Sequence, residues 1–328
     1  MNKPPQIAVF YEHPHWFKPL FQALERRAVP YQMWHADHHR LNLLGPDSLF
    51  NGQAPDLIIN RMSPSAWQRG RSHLMTYTSA ALASWEGLGV RVFNGFRAWE
   101  FEISKARQIA LMHQLGVSTP RTMVVHSLEQ LALAAATLTA PYVVKPNIGG
   151  SGAGILRFDS EAALRDSVAA GDIPSGPGGV WLLQEFHPPA DQAIYRVETL
   201  LGKYLYGIRI GLDADAGFDL CPADICRTSS GTALVSEACP TEARKNGMAV
   251  HAYTPPPAVI QTVERLVQAA GIDVGGVEFL RSGRDGQIYF YDINALSNFV
   301  ADPVLVLGFD PTESLVDALI AAAKARVA

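Results

Sequence analysis

Residues 142–155 read YVVKPNIGGSGAGI and join a short apolar run to a glycine-rich loop. Pro146 ends the apolar run as a strand, because proline cannot donate to the hydrogen-bonding ladder. The loop contains four glycines: Gly149, Gly150, Gly152 and Gly154. Glycine lets the backbone approach an anion and point its N–H groups toward it. Lys145, just before the loop, is placed to contact a phosphate. The stretch therefore predicts a phosphate-binding hairpin, with a flexible hairpin and a surface lysine as the alternative.

The composition is that of a folded protein with more than one domain. A chain of 328 residues predicts about two or three domains, and an apolar content of 48% allows a large core. The formal net charge of −4 disfavours a nucleic-acid partner. No apolar run is long enough for a membrane span, and the N-terminus does not resemble a signal peptide. Three cysteines, Cys221, Cys226 and Cys239, indicate no disulfide framework and favour a cytoplasmic location.

Strands and helices alternate over residues 1–95 and predict a small doubly wound α/β domain. Residues 96–183 predict an α+β module that starts with one long helix over 98–115, with Lys105 in its interior. Residues 184–328 predict a second α+β module. Its segment 212–254 lacks periodicity, and a loop of that length is usually functional.

Three oxygen-bearing side chains in the last module predict a metal site. Asp292 and Asn294 are two residues apart and therefore share one face of a predicted strand. Glu278 lies on the preceding strand, and a turn at Asp285-Gly286 places the two strands side by side. Such oxygens suit Mg²⁺, which also takes substrate phosphates. The alternative is a solvated hairpin face, which the apolar residues on both strands disfavour.

Five histidines cluster in the first domain: His13, His15, His35, His38 and His39. Their spacing fits no compact metal-ligand template, so polar loops at the strand ends are the preferred interpretation. Open α/β sheets bind ligands at those strand ends. His13 and Arg61 are therefore candidates for substrate contacts.

In the order and spacing of its motifs, the sequence resembles the ATP-grasp superfamily, in particular carboxylate–amine ligases of the RimK, LysX and glutathione synthetase type. The resemblance extends over nearly the whole chain. It is carried by Ser104-Lys105, residues 116–120, Val144-Lys145-Pro146 with the glycine loop, Gln184-Glu185-Phe186, Tyr195-Arg196, Arg209, Glu278 and Asp292-Ile293-Asn294.

The resemblance implies an α/β (α+β) fold in which two α+β lobes clamp ATP beside an N-terminal doubly wound domain. The implied domains are 1–95, 96–183 with the glycine-rich lid, and 184–328 with the metal site. The implied ATP-binding residues are Lys105, Lys145, Gly149, Gly150, Ser151, Gly152, Gln184, Glu185 and Phe186. Glu278, Asp292 and Asn294 would hold one or two Mg²⁺ ions, or Mn²⁺.

The implied reaction activates a carboxylate as an acylphosphate, which an amine then attacks to form an amide. Arg196 and Arg209 are the predicted catalytic cations, because a guanidinium grips carboxylate or phosphoryl groups bidentately. Relatives usually carry an acidic residue for the ribose at the position of Ile194. Asp191 or Gln192 is the candidate replacement. Arg227 is a candidate contact for the second substrate.

Two alternatives remain open at this point. One is an ATP-grasp phosphoryl transfer without amide formation, and the other is a nucleotide-binding regulatory protein that does not catalyse. The substrates implied are a small-molecule or peptide carboxylate and an amine. Similar enzymes are commonly dimers or tetramers, so a homodimer or homotetramer is the expectation.

Overall fold

The computed structural model describes residues 6–45, 50, 54–150, 152, 154–212 and 249–327. Side chains are described to residue 325. The predictions for Ser151, Arg227 and the three cysteines fall outside these residues, as does most of the segment 212–254. The described chain contains three sheets.

The first sheet is parallel, with strand order β2-β1-β3-β4. Its strands are β1 (Ile7–Tyr11), β2 (Tyr31–His35), β3 (Leu57–Arg61) and β4 (Arg91–Phe93), and its helices are α1 (Lys18–Arg26) and α2 (His73–Gly87). Every residue of β1 and β3 is buried, because helices cover both faces of the sheet. Phe10 packs against Trp85 of α2, and Val9 packs in the same cluster as Leu24 of α1.

Two short helices follow, α3 (Phe96–Glu102) and α4 (Lys105–Gln114). The prediction of one helix over 98–115 is wrong. Ser104 is extended, with φ −150°, and its Oγ caps α4 by accepting from the backbone N of Arg107 at 3.3 Å. Asn147 stabilises the break, because its Oδ1 accepts from Ala106 N at 2.9 Å. Lys105 is therefore the first residue of α4 rather than an interior one.

The second sheet is antiparallel, with strand order β5-β8-β6-β7. It consists of β5 (Thr122–Val125), β6 (Tyr142–Pro146), β7 (Leu156–Phe158) and β8 (Trp181–Glu185), with helices α5 (Leu128–Ala134) and α6 (Glu161–Ala170). The buried side chains Leu131, Leu164 and Trp181 lie in one apolar cluster of this lobe. The glycine-rich loop joins β6 to β7, so the predicted hairpin is confirmed.

The third sheet is antiparallel, with strand order β11-β10-β9-β12-β13. Its elements are β9 (Ala193–Leu200), β10 (Lys203–Gly211), β11 (Val250–Ala252), α7 (Pro257–Ala270), β12 (Val274–Arg281) and β13 (Ile288–Asn294). Two helices follow, α8 (Pro303–Leu307) and α9 (Pro311–Val327). None of the helices in the described ranges is long and apolar enough to cross a bilayer.

Several helices pack in cores that they share with elements distant from them in the chain. Helices α3 and α4 contribute Ala98 and Met112 to the core under the third sheet, together with Val263 of α7. Helix α9 packs on α1, and Leu319 shares a core with β1 and β3. Arg27 of the segment after α1 forms ion pairs with Glu313 and Asp317 of α9. The domain ranges 1–95, 96–183 and 184–328 stay a prediction.

Candidate active site

A cavity of about 340 Å³ is lined by residues of both the second and the third sheet. The predicted site residues that line it are Lys105, Lys145, Gly149, Gly150, Gly152, Gln184, Glu185, Phe186, Arg196, Glu278, Asp292 and Asn294. Residues far apart in sequence thus converge on one space, as the motif pattern predicts.

Lys145 lies on the floor of the cavity, on strand β6. It is only 5% exposed, and its Nζ donates to Gln184 Oε1 at 2.9 Å. Gln184 is held in turn, because its Nε2 donates to Thr122 Oγ1 at 2.7 Å. Burial, with the positive charge of Lys105 nearby, lowers the pKa of Lys145 to about 8. No carboxylate of the described residues forms an ion pair with Lys145, so an anionic ligand is the partner that this ammonium lacks.

Lys105 occupies the start of α4 and pairs with Asp292 of β13. Burial alone lowers the pKa of Lys105, but the Asp292 carboxylate, with Glu278 and Glu102, outweighs it, and the pKa is raised. The glycine loop lies directly beside this lysine. A Cβ added at Gly149 would lie 3.5 Å from Lys105 Cε. Lys105 is therefore fully charged and close to the loop.

The candidate metal ligands lie on the β12–β13 hairpin. Glu278 is directly opposite Asp292, and Asn294 is opposite Gly276. Burial raises the pKa of Glu278 even though the Arg196 guanidinium acts in the opposite direction. The Nδ2 atom of Asn294 is buried and has no hydrogen-bond partner among the described residues. Two carboxylates and an amide on one wall fit a hard divalent cation such as Mg²⁺.

Glu278 and Asp292 are the two acidic residues of this candidate metal site. Within the described ranges, no group of three or more His, Cys, Asp or Glu side chains is arranged to hold a metal ion. The five histidines near the first sheet make ring contacts: His13 stacks on Trp16 and touches His15, His35 contacts His38, and His39 packs on Phe10 and Trp85. The Nδ1 atom of His13 is buried without a hydrogen-bond partner among the described residues. Burial lowers the pKa of His39 to about 4.

Arg196 is fixed between two carboxylates at the cavity wall. Its Nε donates to Glu198 Oε1 at 2.6 Å, and its Nη1 donates to Glu278 Oε1 at 3.1 Å. The neighbouring strand leaves room for this arrangement. A Cβ at Gly276 would lie 2.8 Å from both Arg196 Nε and Glu198 Oε1. Glu198 is a site residue that the sequence analysis missed, because nothing in a buried strand pattern marks it.

The residues predicted to form the adenine hinge, Glu185 and Phe186, lie at the end of β8. The N–H groups of Glu185 and Phe186 donate to the carbonyls of Arg121 and Pro141, at 2.9 and 2.8 Å. The Glu185 carboxylate accepts from Thr139 N at 2.8 Å. The Phe186 ring lies 4.6 Å from the Arg157 guanidinium. Neither of these two N–H groups is therefore open for the edge of an adenine.

Arg209 and Asp191 do not line the cavity. Arg209 lies opposite Tyr195 on the adjacent strand, whereas Arg196 lies opposite Ile208. The two arginines therefore point to opposite faces of the third sheet. Arg209 Nη2 donates to the carbonyl of Asp191 at 2.9 Å, and the Asp191 carboxylate accepts from the Tyr195 hydroxyl. The catalytic role predicted for Arg209 and the ribose contact predicted for Asp191 have no support in this geometry.

The glycine loop also contacts the short 3₁₀ helix Pro64–Arg69, which follows β3 of the first sheet. A Cβ at Gly150 would lie 2.9 Å from Ser65 Cβ, and Gln68 Nε2 donates to the Gly150 carbonyl at 3.2 Å. Only glycine allows so close an approach. The sequence analysis missed Ser65 and Gln68, because no local pattern links them to a loop more than 80 residues away.

If Lys145 binds the phosphates of ATP, as the resemblance implies, binding of MgATP should be accompanied by proton uptake. With its pKa lowered to about 8, roughly half of Lys145 is neutral near pH 8. Phosphate oxygens favour the ammonium, so binding near pH 8 should take up protons, and affinity should fall as the pH rises above that value. Calorimetry in buffers of different ionisation enthalpy measures the uptake. Lys145→Arg is the control, because arginine stays charged. Binding without net proton uptake near pH 8 would contradict the assignment.

Solved structures with a similar fold include proteins described as ATP-grasp proteins or ligases. PsnB, an ATP-grasp ligase complexed with a phosphomimetic variant of its minimal precursor, Mg and ADP, is 20% identical; the match covers 98% of this chain and 100% of that one, with a TM-score of 0.68. A RimK-domain ATP-grasp protein from Sphaerobacter thermophilus is 17% identical, with coverage of 96% and 99% and a TM-score of 0.63.

A third similar structure is the D-alanine–D-alanine ligase of Bacillus anthracis complexed with ATP. It is 13% identical, with coverage of 99% of both chains and a TM-score of 0.63. No protein-family model matches the chain, and no curated protein sequence matches it. At these identities the likeness concerns the fold, and it extends over nearly the whole length of the chain.

Proposed function

From the ATP-grasp fold of this chain, we propose that the protein is an ATP- and Mg²⁺-dependent ligase that joins a carboxylate to an amine. The observation that carries the proposal is the charge arrangement in one cavity. Lys145 and Lys105 face Glu278 and Asp292, and Arg196 lies beside them. A triphosphate, a divalent cation and a substrate carboxylate together supply the charges that this arrangement lacks.

The residues that line the cavity have three proposed roles: binding the phosphates, the adenine and the metal ion. Lys145 and Lys105 bind phosphate oxygens, and the glycine loop covers them with its N–H groups. Glu185 and Phe186 form the adenine slot, with the Glu185 carbonyl and the His187 N–H as the backbone groups for the base edge. Mg²⁺ held by Glu278, Asp292 and Asn294 would neutralise the phosphate charge.

The reaction that fits these residues has two steps. A substrate carboxylate oxygen bonds to the γ-phosphorus, the bond to the bridging oxygen breaks, and ADP leaves. The amine nitrogen then bonds to the carbonyl carbon, the C–O bond to phosphate breaks, and the nitrogen loses a proton. Arg196 orients the carboxylate, since a guanidinium offers a fork of donors to it. The closed glycine loop keeps water from the acylphosphate.

Substrate class and compartment belong to the same proposal. PsnB is solved with a precursor peptide, and D-alanine–D-alanine ligase is named for a small amino acid. Both peptides and small molecules are therefore candidates for this chain. The sparse cysteines favour a reducing compartment such as the cytoplasm.

The test is ADP and phosphate release from ATP with pools of carboxylates and amines, with and without Mg²⁺. We expect release only when Mg²⁺ and the correct pools are present, together with an amide product detected by mass spectrometry. Release with a phosphorylated product and no amide would favour phosphoryl transfer alone. ATP binding without turnover in any pool would favour the regulatory alternative.

A further inference from the structure

The outer edge of β13 carries the backbone between two of the candidate metal ligands. In the described part of the chain, β13 is the last strand of the third sheet and pairs on one side only, with β12. Ile293, between Asp292 and Asn294, turns its backbone N–H and C=O groups to the outer side. Buried backbone groups at the edge of a sheet need partners other than a strand.

The side chain of Gln108 in α4 supplies those partners, as a neighbouring strand would. Its Oε1 accepts from Ile293 N at 3.1 Å, and its Nε2 donates to the Ile293 carbonyl at 2.7 Å. The second N–H of the amide is used as well, since Nε2 also donates to the Phe101 carbonyl at 2.8 Å. Gln108 is 2% exposed. Both peptide groups that join Ile293 to its two neighbours are therefore held by one buried side chain.

Glu102, the last residue of α3, holds the chain just beyond Asn294. Its Oε2 accepts from Ala295 N and, at 3.2 Å, from Leu296 N. These two N–H groups replace part of the water that the carboxylate loses by burial. The backbone is therefore anchored on both sides of Asn294, by Gln108 of α4 before it and by Glu102 of α3 after it.

Gln108 and Glu102 contact the backbone of this segment and do not line the cavity. Gln108 follows Lys105 by three residues, so the two side chains lie one turn apart on one face of α4. Lys105 pairs with Asp292, and Gln108 holds the next residue of β13. One helix thus contacts both the Asp292 carboxylate and the backbone that presents it.

We propose that Gln108 and Glu102 are positioning residues for the metal ion, which hold the backbone so that the Asp292 and Asn294 side chains bind the same cation. The inference rests on the proposed function and deepens it, because it takes the Mg²⁺ site as given. Mg²⁺ requires a nearly ideal octahedron of ligands and tolerates little displacement of them. Residues that orient metal ligands typically contribute about 10–100-fold to metal affinity.

The contribution of the metal ion can be measured without turnover. Calorimetry gives the affinity for ADP in excess Mg²⁺ and again in EDTA, and the ratio of the two affinities reports how well the protein holds the metal ion. Gln108→Met is close in length and uncharged, and it removes both bonds to Ile293. We expect this ratio to fall about tenfold, whereas the affinity for ADP in EDTA, which Lys145 supports, should change little.

Two further sets of variants keep the test independent of folding and of charge. Gln108→Asn keeps the amide on a side chain one methylene shorter; it should lower the ratio by a smaller factor and replaces the methionine variant if that variant does not fold. Glu102→Gln and Glu102→Met remove the same charge, but only the glutamine keeps an oxygen acceptor. The ratio should therefore be lower in Glu102→Met than in Glu102→Gln.

Gln268→Met is the matched control, because Gln268 Nε2 donates to the Gly202 carbonyl at 3.0 Å and the residue does not line the cavity. It loses the same kind of bond and should keep the ratio. An unaltered ratio in a folded Gln108 variant, equal ratios in the two Glu102 variants, or a similar fall in Gln268→Met would overturn the inference.

Asp292→Asn, measured in parallel, separates this inference from the ligase proposal. If Asp292→Asn lowers the ratio and the Gln108 variants do not, the metal site stands and the positioning role is wrong. If Asp292→Asn leaves the ratio unaltered, the metal site of the proposed function is wrong, and the positioning role with it.

Discussion

Lys145→Met is expected to lower the affinity for MgATP about 30-fold or more, and turnover with it. Methionine keeps the length of the side chain but removes the charge that the phosphates pair with, in a site from which water is largely excluded. Calorimetric titration with MgATP measures the loss. The exposed Lys203, which pairs with Glu264, supplies the matched control, and Lys203→Met should bind MgATP as the unaltered protein does.

Stability distinguishes this effect from misfolding. The substitution removes a buried ammonium, which favours the folded state, but it leaves Gln184 Oε1 without its donor, which costs about 1–3 kcal/mol. Because the two effects oppose each other, the melting temperature should change little. MgATP binding that survives Lys145→Met unaltered would refute the assignment of the phosphate site.

Asp292→Asn is expected to reduce Mg²⁺-dependent ADP release by at least about a hundredfold, corresponding to ~3 kcal/mol. The amide has the shape of the carboxylate without its charge, so it is a poorer ligand for a hard cation. Initial rates measured across a Mg²⁺ titration test the effect. Asp317→Asn, at an exposed partner of Arg27, is the control and should leave the rates unchanged.

The ion pair between Asp292 and Lys105 allows a more specific test of whether Asp292 is a metal ligand. Removing one partner of this partly buried ion pair leaves an uncompensated charge, so Asp292→Asn alone should lower stability by less than the about 3–5 kcal/mol typical of a fully buried pair. Lys105→Met added to it removes that charge and should recover much of the stability. Activity should not recover. If the double variant regained Mg²⁺-dependent turnover, Asp292 would act only through Lys105 and would not be a metal ligand.

The parts of the site that sequence reasoning predicted depend on short-range geometry. Asp292 and Asn294 share a face because side chains alternate along a strand, and a hairpin brings Glu278 opposite Asp292. The glycine loop after Lys145 has a recognisable composition and lies between two antiparallel strands. Each of these spatial relations spans few residues, so the local sequence pattern predicts it.

The position of Arg209 shows where such reasoning stops. The β9–β10 turn pairs Leu200 with Lys203, and if that register continued, Arg209 would share a face with Arg196. A bulge near the start of β10 shifts the register by one residue, so that Arg209 lies opposite Tyr195 instead. A one-residue shift moves every later side chain to the other face. No residue type in this stretch predicts the bulge.

The break before Lys105 has a similar cause. Helical propensity alone favours continuity across Ile103-Ser104, and the single-helix prediction followed from it. Asn147, from the loop after β6, contacts the start of α4 in two ways. Its side-chain oxygen accepts from Ala106 N, and its backbone carbonyl accepts from Lys105 N at 3.0 Å. Tertiary contacts of this kind override local preference. The same contact ties Lys105 to the loop that follows Lys145.

The packing of α9 against α1 and β3 affects how the protein is made. Phe21 and Leu24 share their core with Val316 and Leu319, side chains that are translated almost 300 residues later. The strands and helices of the first sheet therefore leave the ribosome long before α9 can cover their apolar surface. Contacts so distant along the chain slow folding and expose the nascent polypeptide to aggregation. Completion of the core that α1 and β3 share with α9 must wait until α9 is synthesised.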